Sequence, residues 1–223
     1  MSLILAVDTT GEHGSLALLR DGALLEELLL HAPVSYSPVL YESLSGLLAR
    51  HSVTLAQVDC FAAASGPGTF TGVRVALACV MGLAEAMGRP AVAVSNLKAV
   101  ASYGTAPLRA VALDARRNEI YGALYDAAGH AVTTEIVTKL APWLETLPEG
   151  VEEFLTNDLT LDLTLDPGGT RFAHARVTVA PRELAAAVAR IAAVRFERGE
   201  VSDPAALDAN YVRRSDAELS LKV

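Results

Sequence analysis

The sequence predicts an α/β protein built from two related halves, each a mixed β-sheet with helical cover. The chain opens with three short apolar runs separated by tight turns, then switches to alternating helix and strand patterns. Near residue 110 a strand ending in Asp, a turn and a second strand begin that opening again. At 223 residues, 52% hydrophobic and 20% charged, the chain has the apolar area for packed cores and the length for two small domains. The expected division is an N-terminal half over 1–100 and a C-terminal half over 101–223, with a tail from about 207 to 223 packing back on the first.

LILAVDTT, SLALLRDG and ALLEELLL read as three antiparallel strands, with Asp21-Gly22 as the second tight turn. From Ser37 to Arg50, Val39, Leu40, Leu44, Leu47 and Leu48 recur at helical spacing, and Ser37-Pro38 stands where an N-cap and first-turn proline belong. VDCFAAAS is a short buried strand, GPGTFTG a glycine-rich loop and VRVALACVMGLAEAMG a helix closed by Gly88 and Pro90; AVAVS is a further strand. AVALDARRNEIYGALYDAAGHAVTTEIV repeats the strand–Asp–turn–strand opening, and a duplication of this kind builds actin-like ATPase folds. The helix complementing the second half is expected in PRELAAAVARIAAVRFERG, where Leu184, Val188, Ile191, Ala192 and Phe196 form an apolar stripe. Alternation in TNDLTLDLTLDPGG predicts a strand or edge hairpin.

Composition excludes several classes. No apolar run reaches the roughly 18–20 uninterrupted residues of a membrane span, and the N-terminal run lacks a basic flank and is cut by Asp8, so a cytoplasmic protein is expected. Cys60 and Cys79 sit among small and apolar neighbours, as reduced core thiols do. A formal charge of −8 opposes direct RNA binding, because phosphate contacts dominate that affinity. The five histidines are scattered, with none at helical spacing to another and no cysteine beside one, so a zinc or iron site has little support.

Two segments carry the candidate chemistry. Asp8-Thr9-Thr10 ends a buried strand and can hold a hydrated magnesium ion and offer donors to phosphate, or Asp8 simply caps a turn. In the loop from Gly66 to Gly72, Gly66, Gly68 and Thr69 can let backbone approach an anion at a helix N-terminus; otherwise the glycines serve a tight strand-to-helix turn. The loop matches neither the P-loop nor the dinucleotide fingerprint. In the following helix small residues recur at four-residue spacing, which lets a second helix of the same chain or of another subunit come close. The expected interface joins Val39, Leu40 and Leu47 to Gly72, Val73, Ala76, Leu77, Val80 and Gly82.

GPGTFTGVRVALACVMGLAEAMGRPAVAVSNLKAVA resembles the signature of the TsaB and TsaD branch of the actin-like ATPase superfamily, and ILAVDTT, LDARRNEIYGALYD and ANYVRRSDAE resemble the TsaB family in particular. The resemblance covers most of the chain outside 140–180, where a Gly-Asp-Gly-type segment is missing. It implies two tandem actin-like (ribonuclease H-like) subdomains. In the catalytic TsaD relatives two histidines four apart hold a metal just after this strand; here those positions fall on Asn96 and Val100, and valine coordinates no metal. The resemblance therefore implies a non-catalytic scaffold subunit, a homodimer when alone, that pairs with TsaD while TsaE joins. The complex transfers threonylcarbamoyl to the adenosine next to the tRNA anticodon. ATP/ADP and the metal would belong to the partner complex, with no cofactor held by this chain alone and tRNA met only indirectly. The competing readings are a self-sufficient actin-fold ATPase or small-molecule kinase using Asp8 and the glycine loop, and a metallopeptidase, which the missing histidine pair opposes.

Overall fold

The first apolar run becomes strand β1 (Leu3–Asp8), whose six residues are all buried because both faces of its sheet are covered. The computed structural model describes residues 2–31, 35–158, 161 and 171–213. They divide into one unit of Met1–Asn96 with Glu183–Asn210 and a second of Leu97–Arg182 with the tail from Tyr211.

In the first unit β2 (Gly14–Arg20) and β3 (Ala23–Leu30) continue β1 as an antiparallel meander. The turn between them uses Asp21 and Gly22, both at positive φ. Helix α1 (Ser37–Arg50) follows, with Pro38 in its first turn and Tyr36 rather than Ser37 at the N-cap. The Tyr36 hydroxyl is engaged elsewhere, accepting from the Gly14 N–H at 2.7 Å and donating to the Gly11 carbonyl at 2.9 Å. Strand β4 (Cys60–Ala64), helix α2 (Phe70–Met87) and strand β5 (Ala91–Val94) complete the sheet in the order β3-β2-β1-β4-β5, its last two pairings parallel. Gly88 closes α2 in the left-handed conformation, as its position predicts.

By length and composition alone α2 could cross a bilayer, with mean hydropathy 1.5. Its Val73, Ala76, Leu77, Val80 and Ala84 face nevertheless packs with Leu40, Leu44 and Leu47 of α1 against Leu3, Leu5 and Val7 of β1, the position of a core helix. Cys60 and Cys79 are buried free thiols, and burial pushes them up to about 12 and about 11. The apolar surroundings penalise the thiolate.

Helix α3 (Asn96–Ala101) leads into the second unit. There β6 (Leu108–Asp114), β7 (Ile120–Asp126), β8 (Ile136–Thr138), α4 (Leu140–Thr146), β9 (Glu153–Thr156) and β10 (Arg176–Val179) form a sheet of order β10-β9-β6-β7-β8. The β6–β7–β8 meander is antiparallel, and β9 and β10 add in parallel. Both sheets thus have one topology, which is the half-repeat read from the sequence. The alternating stretch at 156–169 lies for the most part outside the described residues.

The last helix departs from expectation. Helix α5 (Ala185–Glu197) packs on β1, β2, β4 and β5 of the first unit rather than covering the second sheet. Its buried face is Ala185, Ala186, Val188, Ala189 and Ala192, so small that the helix can lie close over the face of β1 that carries Ile4 and Ala6. Ile191 and Phe196 of the anticipated stripe are only half-buried. The tail then returns: Ser202 bridges Ala91, Leu207 joins the first core, and Asn210 donates its N–H to the Ser65 carbonyl at 2.8 Å.

In the second unit the Glu153 carboxylate, 1% exposed, accepts from the N–H groups of Thr105 and Ala106, the Arg176 guanidinium at 3.0 Å and the Thr178 hydroxyl at 2.5 Å. Burial alone would push this group up, but the Arg176 and Thr178 side chains and the two N–H groups together outweigh it and bring it down to about 2.

Two measurements follow from this packing. Ala76→Trp should lower the melting temperature of the isolated chain, at a cost of about 1–3 kcal/mol, because Ala76 faces the chain's own sheet. A carboxylate held below its unfolded value of 4.5 contributes stability that is complete above that pH and is lost as pH falls towards about 2. Calorimetry across that window should show the loss in the native chain, and a flatter, lower profile in Glu153→Gln.

Candidate functional site

β1 ends at Asp8, 2% exposed, and the chain turns through Thr9 and Thr10, both buried. Asp8 Oδ1 accepts from the Thr10 N–H at 2.9 Å and from the Thr10 hydroxyl at 2.6 Å. Burial raises the Asp8 pKa, and the bonds from Thr10 and from the Leu184 N–H only partly offset it, while Glu27 adds to the rise.

The glycine loop closes on this turn from the other side. A Cβ at Gly72 would lie 2.0 Å from the Thr9 carbonyl oxygen, and one at Gly68 would lie 2.5 Å from that of Thr10. Both glycines are therefore required by close approach of the chain to itself. Thr69 N–H donates to the Thr10 carbonyl at 2.7 Å, and the Thr9 hydroxyl donates to the Gly72 carbonyl at 2.7 Å. The Thr69 hydroxyl caps α2 by accepting from Gly72 N–H at 3.2 Å.

Asn96, 4% exposed, completes the cluster. Its Nδ2 donates to the Thr10 hydroxyl at 2.5 Å, its Oδ1 accepts from Gly66 N–H at 3.2 Å, and its N–H donates to the Gly66 carbonyl at 2.8 Å. Asp8, Thr9, Thr10, Gly66, Gly68 and Thr69 are thus brought together as the sequence anticipated, and they bind one another. Sequence reasoning treated Asn96 only as a replaced metal ligand and missed its role as a clamp; a carboxamide at the first position of a helix after a buried strand is the signal that could have shown it.

The same turn anchors α5. Its first N–H groups have no partner within the helix, and they are taken up by the first sheet: Leu184 by Asp8, Ala185 by the Ser15 hydroxyl at 3.1 Å, and Ala186 by Glu27 Oε1 at 2.9 Å. Negative charge there also favours the helix dipole. Burial raises the Glu27 pKa, with the Ala186 N–H and Ser15 acting against it.

The anticipated interface residues require correction. Leu40, Leu47, Gly72, Val73, Ala76, Leu77 and Val80 are buried within the first unit, because the apolar stripes of α1 and α2 are consumed by their own sheet. Val39 is half-buried, and Gly82 is exposed on the outer side of α2. Among the described residues no three His, Cys, Asp or Glu side chains are grouped as metal ligands.

The family model described as TsaD, tRNA N6-adenosine threonylcarbamoyltransferase, matches residues 35–199. The chain belongs to this family. Its curated relatives place it on the TsaB side. The tRNA threonylcarbamoyladenosine biosynthesis protein TsaB of Bacillus subtilis is 30% identical over 151 residues, 66% of each chain. That of Haemophilus influenzae is 37% identical over 124 residues, 53% of this chain and 51% of the relative. The matched stretch spans about half to two thirds of the length of these TsaB proteins. The solved structure of YeaZ from Pseudomonas aeruginosa superposes with a TM-score of 0.76 and 28% identity, over 95% of this chain and all of that one. The tandem actin-like fold is shared.

Replacing Asn96 with Ala should cost about 1–3 kcal/mol, because it strands the Gly66 N–H and leaves the Thr10 hydroxyl without its donor. Chemical denaturation should show a lower midpoint with an unchanged slope.

Proposed function

We propose that this chain is a non-catalytic partner of a TsaD-type threonylcarbamoyltransferase in the formation of threonylcarbamoyladenosine on tRNA. The observation that carries this reading is the occupation of Asn96. At the position where a catalytic relative is expected to place its first metal histidine, both ends of the Asn96 amide tie the glycine loop to the Asp8 turn. The second ligand position is Val100, fully buried. The Asp8 carboxylate and the Thr9 and Thr10 hydroxyls bond within the chain, which favours a scaffold over a self-sufficient ATPase or kinase.

On this reading the metal and ATP/ADP belong to the partner complex, a TsaE-type ATPase joins it, and the chain alone pairs with a second copy of itself. The net charge of −8 leaves tRNA contact to the partner. The docking surface is the outer side of α1 and α2, where Tyr41 (57% exposed), Phe70 (47% exposed), Ala78, Gly82 and Ala86 face outward. An apolar helix with one face on the sheet and another facing outward can bury that second face only against a partner.

Co-expression with the TsaD homologue of the same source should yield a complex, and tRNA modification should need both chains. Gly82→Trp should abolish co-purification with the melting temperature of the lone chain nearly unchanged. About one iron or zinc per isolated chain by elemental analysis, or steady ATP turnover by the chain alone, would overturn the proposal.

A further inference from the structure

The two faces of the first sheet are covered unequally. Side chains alternate between faces along each strand and paired residues share a face, so the register sorts them. The face towards α1 and α2 sets Leu5 beside Leu18 and Phe61, and Val7 beside Leu16 and Ala63. The face under α5 sets Ala6 beside Ala17 and Ala62, with Val92 next in the row. The helices match their faces. Leu40, Leu44 and Leu47 of α1 and Val73, Leu77 and Val80 of α2 are buried, whereas the buried residues of α5 are six alanines and Val188.

Apolar stabilisation follows the area removed from water, and an alanine side chain removes little. Polar bonds therefore carry a large share of the hold on α5. Its first N–H groups meet Asp8, the Ser15 hydroxyl and Glu27, and further along Arg195 Nη1 donates to the Ala93 carbonyl at 2.9 Å. Each of these bonds is exchanged for one to water when the helix lifts, so its net hold is modest. Beyond the helix the chain is fastened again. Gly199 turns at φ of 72°, Ser202 and Ala91 exchange two backbone bonds at 3.0 and 3.1 Å, and Leu207 enters the leucine-rich core shared with α1 and α2. A glycine thus separates the alanine helix from a firm anchor.

We propose that α5 is a hinged cover: it lifts from the first sheet as an opening of its own, about the anchor at Ser202 and Leu207, while α1 and α2 stay packed. Local openings draw on the elements with the fewest large buried apolar contacts, and in this unit that element is α5. Lifting takes the Leu184 N–H from Asp8 and the Ala186 N–H from Glu27, and opens both carboxyls and the Ser15 hydroxyl to water. The bonds of Thr10 to Asp8, of Asn96 to Gly66 and of Tyr36 to Gly14 involve no residue of α5, so the turn after β1 keeps its shape. The fold thereby holds a reversible way of uncovering the Asp8 carboxyl without disturbing α1 or α2.

Native-state hydrogen exchange on the full chain, followed residue by residue by NMR, tests this. Relative to their unstructured rates, the backbone amides of 189–197 in α5 should exchange at least about tenfold faster than those of 76–84 in α2, and should respond less to added denaturant, as a local opening does. Equal protection and equal denaturant response in the two helices would mean that the first unit opens only as a whole, and would overturn the proposal. Ser15→Ala removes the acceptor of the Ala185 N–H. It should speed exchange throughout α5 by about fivefold to tenfold and leave the amides of α1 and α2 as they were. A rise by one factor in all three helices, or no rise in α5, overturns the proposal equally.

Discussion

The approach of the glycine loop to the turn after β1 is the constraint on which the first unit depends. The Thr9 and Thr10 carbonyls end a fully buried strand, where water cannot reach them, and each must find a donor or a tight neighbour within the chain. Thr69 supplies a donor to Thr10, and Gly72 and Gly68 supply the absence of a side chain that lets the loop come near. This contact sets where α2 begins, and so which of its faces meets the sheet. Asn96 then ties the start of α3 to the same point. One buried polar cluster thereby fixes β1, α2 and the exit from β5.

The same strand ends hold α5. Three consecutive N–H groups at its N-terminus meet Asp8, Ser15 and Glu27, contributed by three neighbouring strands. A buried helix terminus without such partners would cost several hydrogen bonds' worth of desolvation. A segment far away in sequence therefore belongs to the first sheet, while the second sheet, of identical strand order, packs its own core around Trp143, Phe154 and Phe172. Among the described residues the two sheets share strand order, while α5 packs on the first and α4 contributes Trp143 and Leu144 to the core of the second.

These arrangements bear on function through saturation. An Asp–Thr–Thr turn facing a glycine loop could serve phosphate chemistry; here the Asp8 carboxylate, the Thr9 and Thr10 hydroxyls and the Asn96 amide are bonded within the chain. Among the described residues, the outer sides of α1 and α2 carry Tyr41, Phe70, Ala78 and Gly82 at the surface.

The sequence by itself determined the elements and their duplication. Strand and helix periodicities are local properties of five to fifteen residues, and Gly88, Asp21-Gly22 and the Pro38 first turn are punctuation with a local physical cause. The six residues of the anticipated phosphate site were also legible as a cluster, since each lies at the end of a buried strand or the start of a helix. Only tertiary structure decided what they face. The stripe of Ala76, Leu77 and Val80 has the same spacing whether it meets a sheet or a subunit, so periodicity could not tell core from interface. The placement of α5 on the first sheet rests on bonds from Ser15 to Ala185 and from Glu27 to Ala186, between residues more than 150 positions apart. No local pattern encodes such a distance: the helix lies where its unpaired N–H groups and its alanine face find partners together.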